Sequence, residues 1–478
     1  MDRGTSSGRV RTPLADALLR VTATGTGSLH ALPLSGGHSL AGSALRDRYV
    51  SLLGEAFLHS EVSYSGVALD SFFRPRGCIA EAQRLAAEAF GADSTLFVTA
   101  GTTLSNAIGL DALIRAATPV AEPRRIRVLA DRSSHQSIHF SLDRADVLTV
   151  YSEQRHDPQR EQTWADIDEL VVQYQSAAAL GEPFDMVVLS SAGYDGSKID
   201  VYRLITELFR HTNTVTLLVD EAWSAIHHFH PHLMWHTAVA AGVRARAEHP
   251  DKRLRMIVTH SAHKSMSALR QGSYLHVVGD EALRESARAA LYRLHTTSPS
   301  LPILASLDLA RAQAELEGRA LVDRSLRHAQ TLRDLVSNDP RLEPFSVIEP
   351  AWAHDRWMRS DQTKVLLGVD TSLITPQELQ VRLIRDHGLY VSRAVGAGLL
   401  LHMHIGVTPE IFDRLIGALC AIAAAVTPAQ QPAESTLRQF VIAYPPGIPL
   451  TVPGEQHDSS AARRAGLLLR TGAELFRV

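Results

Sequence analysis

The sequence predicts an α/β protein built on a mostly parallel sheet, and three features of the chain support this fold class. The run 215–220 is apolar without a break and is closed by Asp220 and Glu221, which is typical of a parallel strand buried on both faces. A second apolar stretch, 255–259, leads into a polar turn that presents Lys264. Short strand-like segments alternate with helical ones along much of the chain, at the spacing of βαβ units.

Each element follows from a local signal. Thr12-Pro13 opens a helix over 13–23, because proline is favoured in the first turn, and Gly25 and Gly27 end it. Residues 1–11 are predicted to be disordered and residues 24–42 to form a loop. Further helices are predicted over 77–91, 280–295, 304–336, 376–387 and 409–426. Strands are predicted over 94–99, 127–130, 146–151, 186–191, 364–368 and 399–404.

The composition limits the class of protein. The chain has 478 residues, enough for two or three domains or for one large domain with an appendage. Its net charge of −3 gives no reason to expect binding to nucleic acid or to a membrane surface. Cys78 and Cys420 are too few for a disulfide framework, and no signal peptide or segment long enough to span a bilayer is visible. We therefore expect a cytoplasmic protein, and no metal site is predicted.

Lysine is rare in this chain, which narrows the search for a nucleophilic amine. Of the 48 basic residues only Lys198, Lys252, Lys264 and Lys364 are lysines. Only lysine offers an amine that can lose its proton and attack a carbonyl group, since arginine stays charged. Lys264 alone follows a buried-looking strand and stands among hydroxyl and imidazole side chains. It is the candidate for a Schiff-base residue; the alternative is a surface lysine in a turn.

Two further features suggest a ligand site. Ligands of open α/β sheets bind at the carboxyl ends of the strands, where Asp220 stands 44 residues before Lys264. An aspartate there can keep a ring nitrogen protonated, or cap a following helix, and the two roles can coexist. Gly101, Thr102 and Thr103 lie between a predicted strand and a predicted helix. Backbone N–H groups and hydroxyls make a phosphate site there, although threonine is also a common cap.

An ordered set of motifs, from about Thr12 to the end, resembles the fold-type-I, pyridoxal-phosphate-dependent ornithine/lysine/arginine decarboxylase family. Residues 261–264, Ser-Ala-His-Lys, are similar to its Ser-x-His-Lys motif, and 220–223, Asp-Glu-Ala-Trp, to Asp-x-Ala-His/Trp. The blocks 77–93, 271–277 and 444–455 match in the same order. The resemblance implies an N-terminal arm and helix over 1–75, a large mostly parallel-sheet domain over 76–300 and a smaller C-terminal α+β domain over 301–478. The segment 444–455 is predicted to be a rigid loop near the active site.

The resemblance also implies roles for individual residues and a homodimer or higher homo-oligomer. Lys264 would hold pyridoxal 5'-phosphate, Asp220 its ring nitrogen, and His135, within a stretch similar to Asp-Arg-Asn-x-His-Lys-Ser, would stack on the ring. Either Lys264 or His135 would return a proton to Cα. Thr297 belongs to a segment similar to one that reaches the partner subunit's active site. The other expected cofactor contacts are Gly101, Thr102, Thr103, Ala222, Trp223, Ser261 and His263.

The implied activity is α-decarboxylation of a basic or modified basic amino acid, giving an amine of the polyamine type. The alternatives are another pyridoxal reaction, such as that of an oxidase, lyase or transaminase, and a non-catalytic regulatory homologue. The chain departs from the family near the substrate: Asp70 is kept, Ser71 and Ser392 replace acids, and Arg74 and Arg76 lie nearby. A buried substrate cation needs a carboxylate partner, so we expect weak activity on unmodified lysine, ornithine and arginine unless these positions lie outside the pocket.

Overall fold

The computed structural model describes residues 10–117, 124–158, 160–391, 393–396 and 398–426, together with the backbone of three short strands between 442 and 476. The α-helices are α1 Pro13–Ala23, α2 Arg46–Leu53, α3 Glu55–Ser60, α4 Cys78–Phe90, α5 Gly101–Ala117, α6 Gln136–Arg144, α7 Ile167–Ala179, α8 Val201–Leu208, α9 Ala238–Glu248, α10 Ala262–Ser265, α11 Glu281–Leu294, α12 Leu301–Asn338, α13 Pro376–His387 and α14 Pro409–Ala424. Short 3-10 helices span Ser35–Leu40, Ala225–Phe229, Met234–His236 and Pro340–Leu342.

The strands are β1 Ser94–Val98, β2 Ile126–Asp131, β3 Val147–Ser152, β4 Gln154–Asp157, β5 Gln162–Ala165, β6 Met186–Ser190, β7 Ser197–Ile199, β8 Thr214–Asp220, β9 Arg253–Ser261, β10 Ser273–Val278, β11 Phe345–Val347, β12 Met358–Ser360, β13 Lys364–Val369, β14 Ala394–Val395, β15 Gly398–His402, β16 Ile442–Tyr444, β17 Ile448–Pro449 and β18 Glu474–Phe476. The chain divides into two compact units. Unit 1 comprises 1–124 and 213–319, and unit 2 comprises 125–212 and 320–478. The predicted division at 75 and 300 stays a prediction.

Unit 1 contains a sheet in the order β1-β10-β9-β8. Strands β8 and β9 are parallel, with Asp220 opposite Thr259 at the end of the register, whereas β10 runs antiparallel to both β9 and β1. Helix α5 approaches this sheet closely at Gly109. A Cβ there would lie 2.8 Å from Leu218 Cδ1 and 3.0 Å from Ile257 Cγ2. The glycine therefore lets α5 lie near the sheet, which places the first turns of the helix beside the strand ends.

Unit 2 contains the parallel strands β6, β2 and β3, in that order, and a second sheet in the order β11-β13-β15-β14 with antiparallel neighbours. A compact apolar core joins this second sheet to α13, α14 and the last part of α12; it includes Leu332, Leu367, Leu383, Leu399 and Leu419. The parallel pairs of both units confirm the α/β class predicted from the apolar strands. Within the described residues, no helix combines the length and the apolar character that crossing a membrane requires.

Most predicted elements form close to the expected bounds. The helix predictions over 13–23 and 376–387 match α1 and α13 at both ends, and α11 begins after its predicted first residue because Asp280 caps it, accepting a bond from Leu283 N. The predicted loop 24–42 contains a 3-10 helix over Ser35–Leu40 instead of being irregular throughout. Residues 1–9 and most of the predicted loop 444–455 lie outside the described residues.

A buried ion pair on α12 fixes the start of α1. Asp308 Oδ2 accepts bonds from Leu14 N at 2.9 Å and Ala15 N at 3.3 Å, and Asp308 Oδ1 accepts one from Arg311 Nη2 at 2.7 Å. Arg311 also donates to Arg11 O and to Glu315 Oε2. Both Asp308 and Arg311 are almost fully buried, so the N–H groups that helix α1 cannot satisfy itself find their acceptor on α12.

Asp308→Ala is expected to lower the free energy of unfolding by about 3–5 kcal/mol, because it leaves the Arg311 guanidinium buried without its buried carboxylate. Urea unfolding followed by fluorescence measures this change. The matched control is Glu315→Gln, which removes the exposed partner of the same arginine and is expected to cost less than about 1 kcal/mol. Equal losses in the two variants would contradict the role assigned to Asp308.

Candidate active site

The ends of β8 and β9 bring the predicted lysine and aspartate to the same edge of the unit 1 sheet. Lys264 lies on α10, the single helical turn that follows Ser261, and not on an irregular turn. Its Nζ lies 4.2 Å from the centre of the Trp223 ring, which follows Asp220 along the chain by three positions. A protonated lysine, which is an ammonium ion, is attracted by the ring quadrupole when it lies over an indole face. Trp223 therefore holds the half-buried lysine near the end of β8.

Asp220 is held by two hydrogen bonds, one to each carboxylate oxygen. Its Oδ1 accepts from Ala222 N at 3.0 Å, and its Oδ2 accepts from Asn106 Nδ2 at 2.8 Å. Asn106 is oriented in turn by Thr259, whose hydroxyl donates to Asn106 Oδ1 at 2.7 Å. Each oxygen of the buried carboxylate keeps a further lone pair for a ligand. The contact with Ala222 is a local turn, and it leaves the predicted ligand role of Asp220 possible in geometry.

Asn106 and Thr259, which support Asp220, were not among the site residues predicted from the sequence. Asn106 lies four positions after Thr102, so both side chains share one face of α5. Thr259 lies opposite Asp220 in the parallel register. The helical spacing could have found Asn106, whereas the register of β8 against β9 is not visible in the sequence.

A cluster of buried hydroxyl groups lies at the first turn of α5. Thr102 Oγ1 contacts Ser261 Oγ and lies 3.2 Å from Ser273 Oγ, which in turn lies 2.8 Å from Ser105 Oγ. This cluster joins the helix that carries the predicted phosphate residues to the strand that leads to Lys264. Thr103 is exposed in the same turn. Hydroxyls beside the N-terminus of a 17-residue helix are a suitable setting for an anion.

The turn before β10 holds this first turn in place. Gly101 has a φ of +74° and its N–H donates to Gln271 O at 2.8 Å, which is a backbone conformation that favours glycine. Gln271 also has a positive φ, +71°, which is uncommon for a residue with a side chain. His263 Nδ1 donates to Gly272 O at 3.1 Å, and burial lowers the pKa of His263, so its ring is neutral at pH 7.

His135 and Thr297 are the two predicted residues outside this group of contacts. His135 belongs to unit 2, where its Nδ1 accepts from Ser137 N at 3.2 Å and caps α6. Thr297 is exposed in the segment after α11. Stacking of His135 on a ring and the reach of Thr297 into a partner subunit stay predictions.

Asp70, the acid retained near the predicted substrate region, has a structural role. Its carboxylate accepts backbone bonds from Ser71, Arg76, Gly77 and Ile79 at 2.7–3.1 Å. It thereby closes the loop before α4 and satisfies N–H groups of that helix, and these donors occupy both of its oxygens. Ser392, the other position where an acid is replaced, lies outside the described residues.

The arrangement of parallel strands with a lysine just beyond one strand end is that of the fold-type-I class. Solved structures with this fold include the lysine decarboxylase LdcF of Francisella novicida, with a TM-score of 0.76, 19% identity and coverage of 98% of this chain and 79% of that one. The constitutive lysine decarboxylase of E. coli gives a TM-score of 0.75 at 20% identity, covering 96% and 78%.

The family model described as Orn/Lys/Arg decarboxylase, major domain, matches residues 12–364, and the chain belongs to this family. An arginine decarboxylase of Bacillus cereus is 26% identical in an alignment of 422 residues that covers 81% of this chain and 85% of that protein. The lysine decarboxylase LdcA of Pseudomonas aeruginosa is 29% identical in an alignment of 341 residues that covers 68% of this chain but only 43% of that protein. The predicted family, which is one of Orn/Lys/Arg decarboxylases, and the predicted fold class are thus confirmed.

Proposed function

We propose that this chain is a pyridoxal-5'-phosphate-dependent enzyme that removes the α-carboxylate of a basic or modified basic amino acid. The observation that carries the proposal is that Lys264 and a buried, doubly hydrogen-bonded Asp220 follow the carboxyl ends of two neighbouring parallel strands. The two cysteines, which are not paired with one another, suit the cytoplasmic location that we also propose.

The residues present fit the three reactive parts of this cofactor. Lys264 is the amine for its aldehyde, and Asp220 is a carboxylate for its ring nitrogen. Thr102 and Ser261 are hydroxyl donors for its phosphate, and they lie at the N-terminus of α5. In the described site these two hydroxyls contact each other, and rotation about their Cα–Cβ bonds would turn both toward an anion.

The cofactor, when bound, supplies an electron sink for the bond that breaks at Cα. Asp220 would accept a hydrogen bond from the ring N–H and would so keep the proton on that nitrogen; a bond of this charge-assisted kind is among the strong ones. Asn106 and Ala222 prevent the carboxylate from turning away. Lys264 or His135 would supply the proton that replaces the carboxylate at Cα; the stacking role of His135 on the ring stays a prediction.

The substrate is tested with lysine, ornithine, arginine and their hydroxylated or acylated derivatives, measuring carbon dioxide, ammonia and peroxide together. We expect one carbon dioxide per amine formed, with kcat/KM on the three unmodified amino acids below about 10⁴ M⁻¹s⁻¹. The expectation rests on Ser71 and Ser392, and on Asp70 being occupied by backbone donors.

Ammonia or peroxide without carbon dioxide would overturn the decarboxylase proposal. Efficient turnover of one unmodified amino acid would contradict only the expectation of an altered substrate pocket.

We also propose that the protein forms a homodimer or a higher homo-oligomer. The proposal is supported by the exposed Thr297, which follows the exposed Tyr292 and Leu294 along the chain. Sedimentation of the active enzyme tests it, and a fully active monomer would contradict it.

A further inference from the structure

A chain of four buried polar side chains lies behind the candidate site in unit 1. Glu221 Oε2 lies 3.0 Å from His260 Nε2, His260 Nδ1 lies 3.1 Å from His276 Nε2, and His276 Nδ1 lies 2.8 Å from Thr95 Oγ1. All four residues are at most 1% exposed. We call this set the Glu221 chain. Burying a polar group costs free energy unless the group is hydrogen-bonded. Four polar side chains that are buried together and linked in an unbroken series therefore need an explanation.

The Glu221 chain is hydrogen-bonded in either of two proton arrangements. Burial lowers the pKa of His276 well below its usual range, so this ring is neutral. In one arrangement Thr95 donates to His276, His276 to His260, and His260 to Glu221. In the other, His260 carries an extra proton and donates to both Glu221 and His276, which then donates to Thr95. The link between Glu221 and His260 is present in both, so it does not depend on which arrangement holds.

The Glu221–His260 link begins where the backbone ladder between β8 and β9 ends. The parallel register closes at Asp220 opposite Thr259, and the last backbone bond runs from Glu221 N to Thr259 O at 3.0 Å. Beyond that point Ser261 has its ladder partner on β10, at Ser273, and not on β8. The Glu221 carboxylate is itself fixed, because Ala238 N, at the start of α9, donates to Oε2 at 3.0 Å. The side chains of Glu221 and His260 thus connect the two strands beyond the point where the backbone hydrogen bonds between β8 and β9 end.

The two linked residues are the immediate neighbours of two proposed cofactor contacts. Glu221 directly follows Asp220, which is proposed to hold the ring nitrogen, and His260 directly precedes Ser261, which is proposed to hold the phosphate. Successive side chains of a strand point to opposite faces. Accordingly, Ser261 contacts Thr102 of α5 on one face of β9, while His260 contacts His276 on the other.

We propose that Glu221 and His260 form a positioning pair that fixes the spacing between Asp220 and Ser261, and thereby between the groups that bind the two ends of the cofactor. The inference rests on the proposed function and adds residues to it. A ligand that bridges two anchors binds tightly only if their spacing is set before it arrives, since otherwise binding must also order the strand ends. A ligand that uses one anchor alone is insensitive to that spacing.

The test measures the binding of two ligands to the apoenzyme. Pyridoxal 5'-phosphate would contact both Asp220 and Ser261, whereas inorganic phosphate would compete only for the site at Ser261. Glu221→Asp keeps the charge but shortens the reach, and Glu221→Ala removes the link. We expect Glu221→Asp to weaken cofactor binding by about fivefold and Glu221→Ala by about tenfold or more. In both variants the inhibition constant of phosphate should stay within about twofold of the wild-type value. Glu221→Gln keeps an oxygen that accepts from both His260 and Ala238, and is expected to restore cofactor affinity to within about threefold of wild type.

The matched control is Tyr274→Phe. The Tyr274 hydroxyl is buried and donates to Leu307 O at 2.6 Å, and the Tyr274 ring, which the variant keeps, lies 5.5 Å from the Phe90 ring. The substitution costs a buried hydrogen bond without touching the link, and cofactor affinity should not change. Wild-type affinity in Glu221→Asp, or an equal loss for phosphate and cofactor, would overturn the positioning role. Absence of cofactor binding to the wild-type chain would instead overturn the proposed function.

Discussion

Lys264→Ala is expected to abolish turnover and the covalent attachment of the cofactor. Among the four lysines, Lys264 is the one that lies just beyond the carboxyl end of the buried strand β9, with its Nζ held over Trp223. No other residue type in the site can supply an uncharged amine. The measurement is borohydride reduction of the loaded enzyme followed by peptide mapping, which should find the pyridoxyl adduct on the peptide that contains Lys264 and nowhere in the variant.

Lys252→Ala is the matched control. Its amine bonds Asn213 Oδ1 at 2.8 Å, and Lys252 comes just before the first residue of β9, at the opposite end of the strand that leads to Lys264. The control should keep both the adduct and the turnover. An adduct on Lys198, Lys252 or Lys364 of the wild-type chain would reject the assignment of Lys264.

Asp220→Ala is expected to lower kcat by at least about 100-fold, which corresponds to about 2.7 kcal/mol of lost transition-state stabilisation. The variant should still load cofactor, because Lys264, Thr102 and Ser261 remain. Cofactor content is therefore measured by absorbance before the rate is compared. Asp280→Ala, which removes the acid that caps α11, is the control and should turn over normally. A loaded Asp220→Ala enzyme with near wild-type turnover would move the ring-nitrogen role to another residue.

The sequence was most informative where the chain is apolar. The unbroken runs of β8 and β9 predicted buried parallel strands, and the polar residues that follow each run had to lie at one edge of the sheet. Lys264 and Asp220 could be found in this way. Their supporting residues could not, because Asn106 meets Asp220 only through the packing of α5, and His260 meets Glu221 only through the register of two strands. The sequence shows periodicity and not register.

Three further features of the structure were not predicted from the sequence, and each has a local cause. Helix α2 has no buried residue, so it carries no apolar stripe that a periodicity argument could detect. Asp70 looked like a pocket acid because its motif resembles one, but four backbone donors converge on its carboxylate. The antiparallel direction of β10 follows from its connection to β9, residues 262–272, which is shorter than the crossover connection that a parallel neighbour needs.

The anchor of α1 on Asp308 has a consequence for how the chain is made. The two partners are separated by 294 positions, and a ribosome that adds about 5–20 residues per second needs roughly 15–60 s to pass from one to the other. During that time helix α1 lacks the Asp308 carboxylate that receives its leading N–H groups. Closing so long a loop also has a high entropic cost relative to local contacts. The start of α1 is thus fixed only after Asp308 has been made, and docking of α1 is a late step in the folding of unit 1.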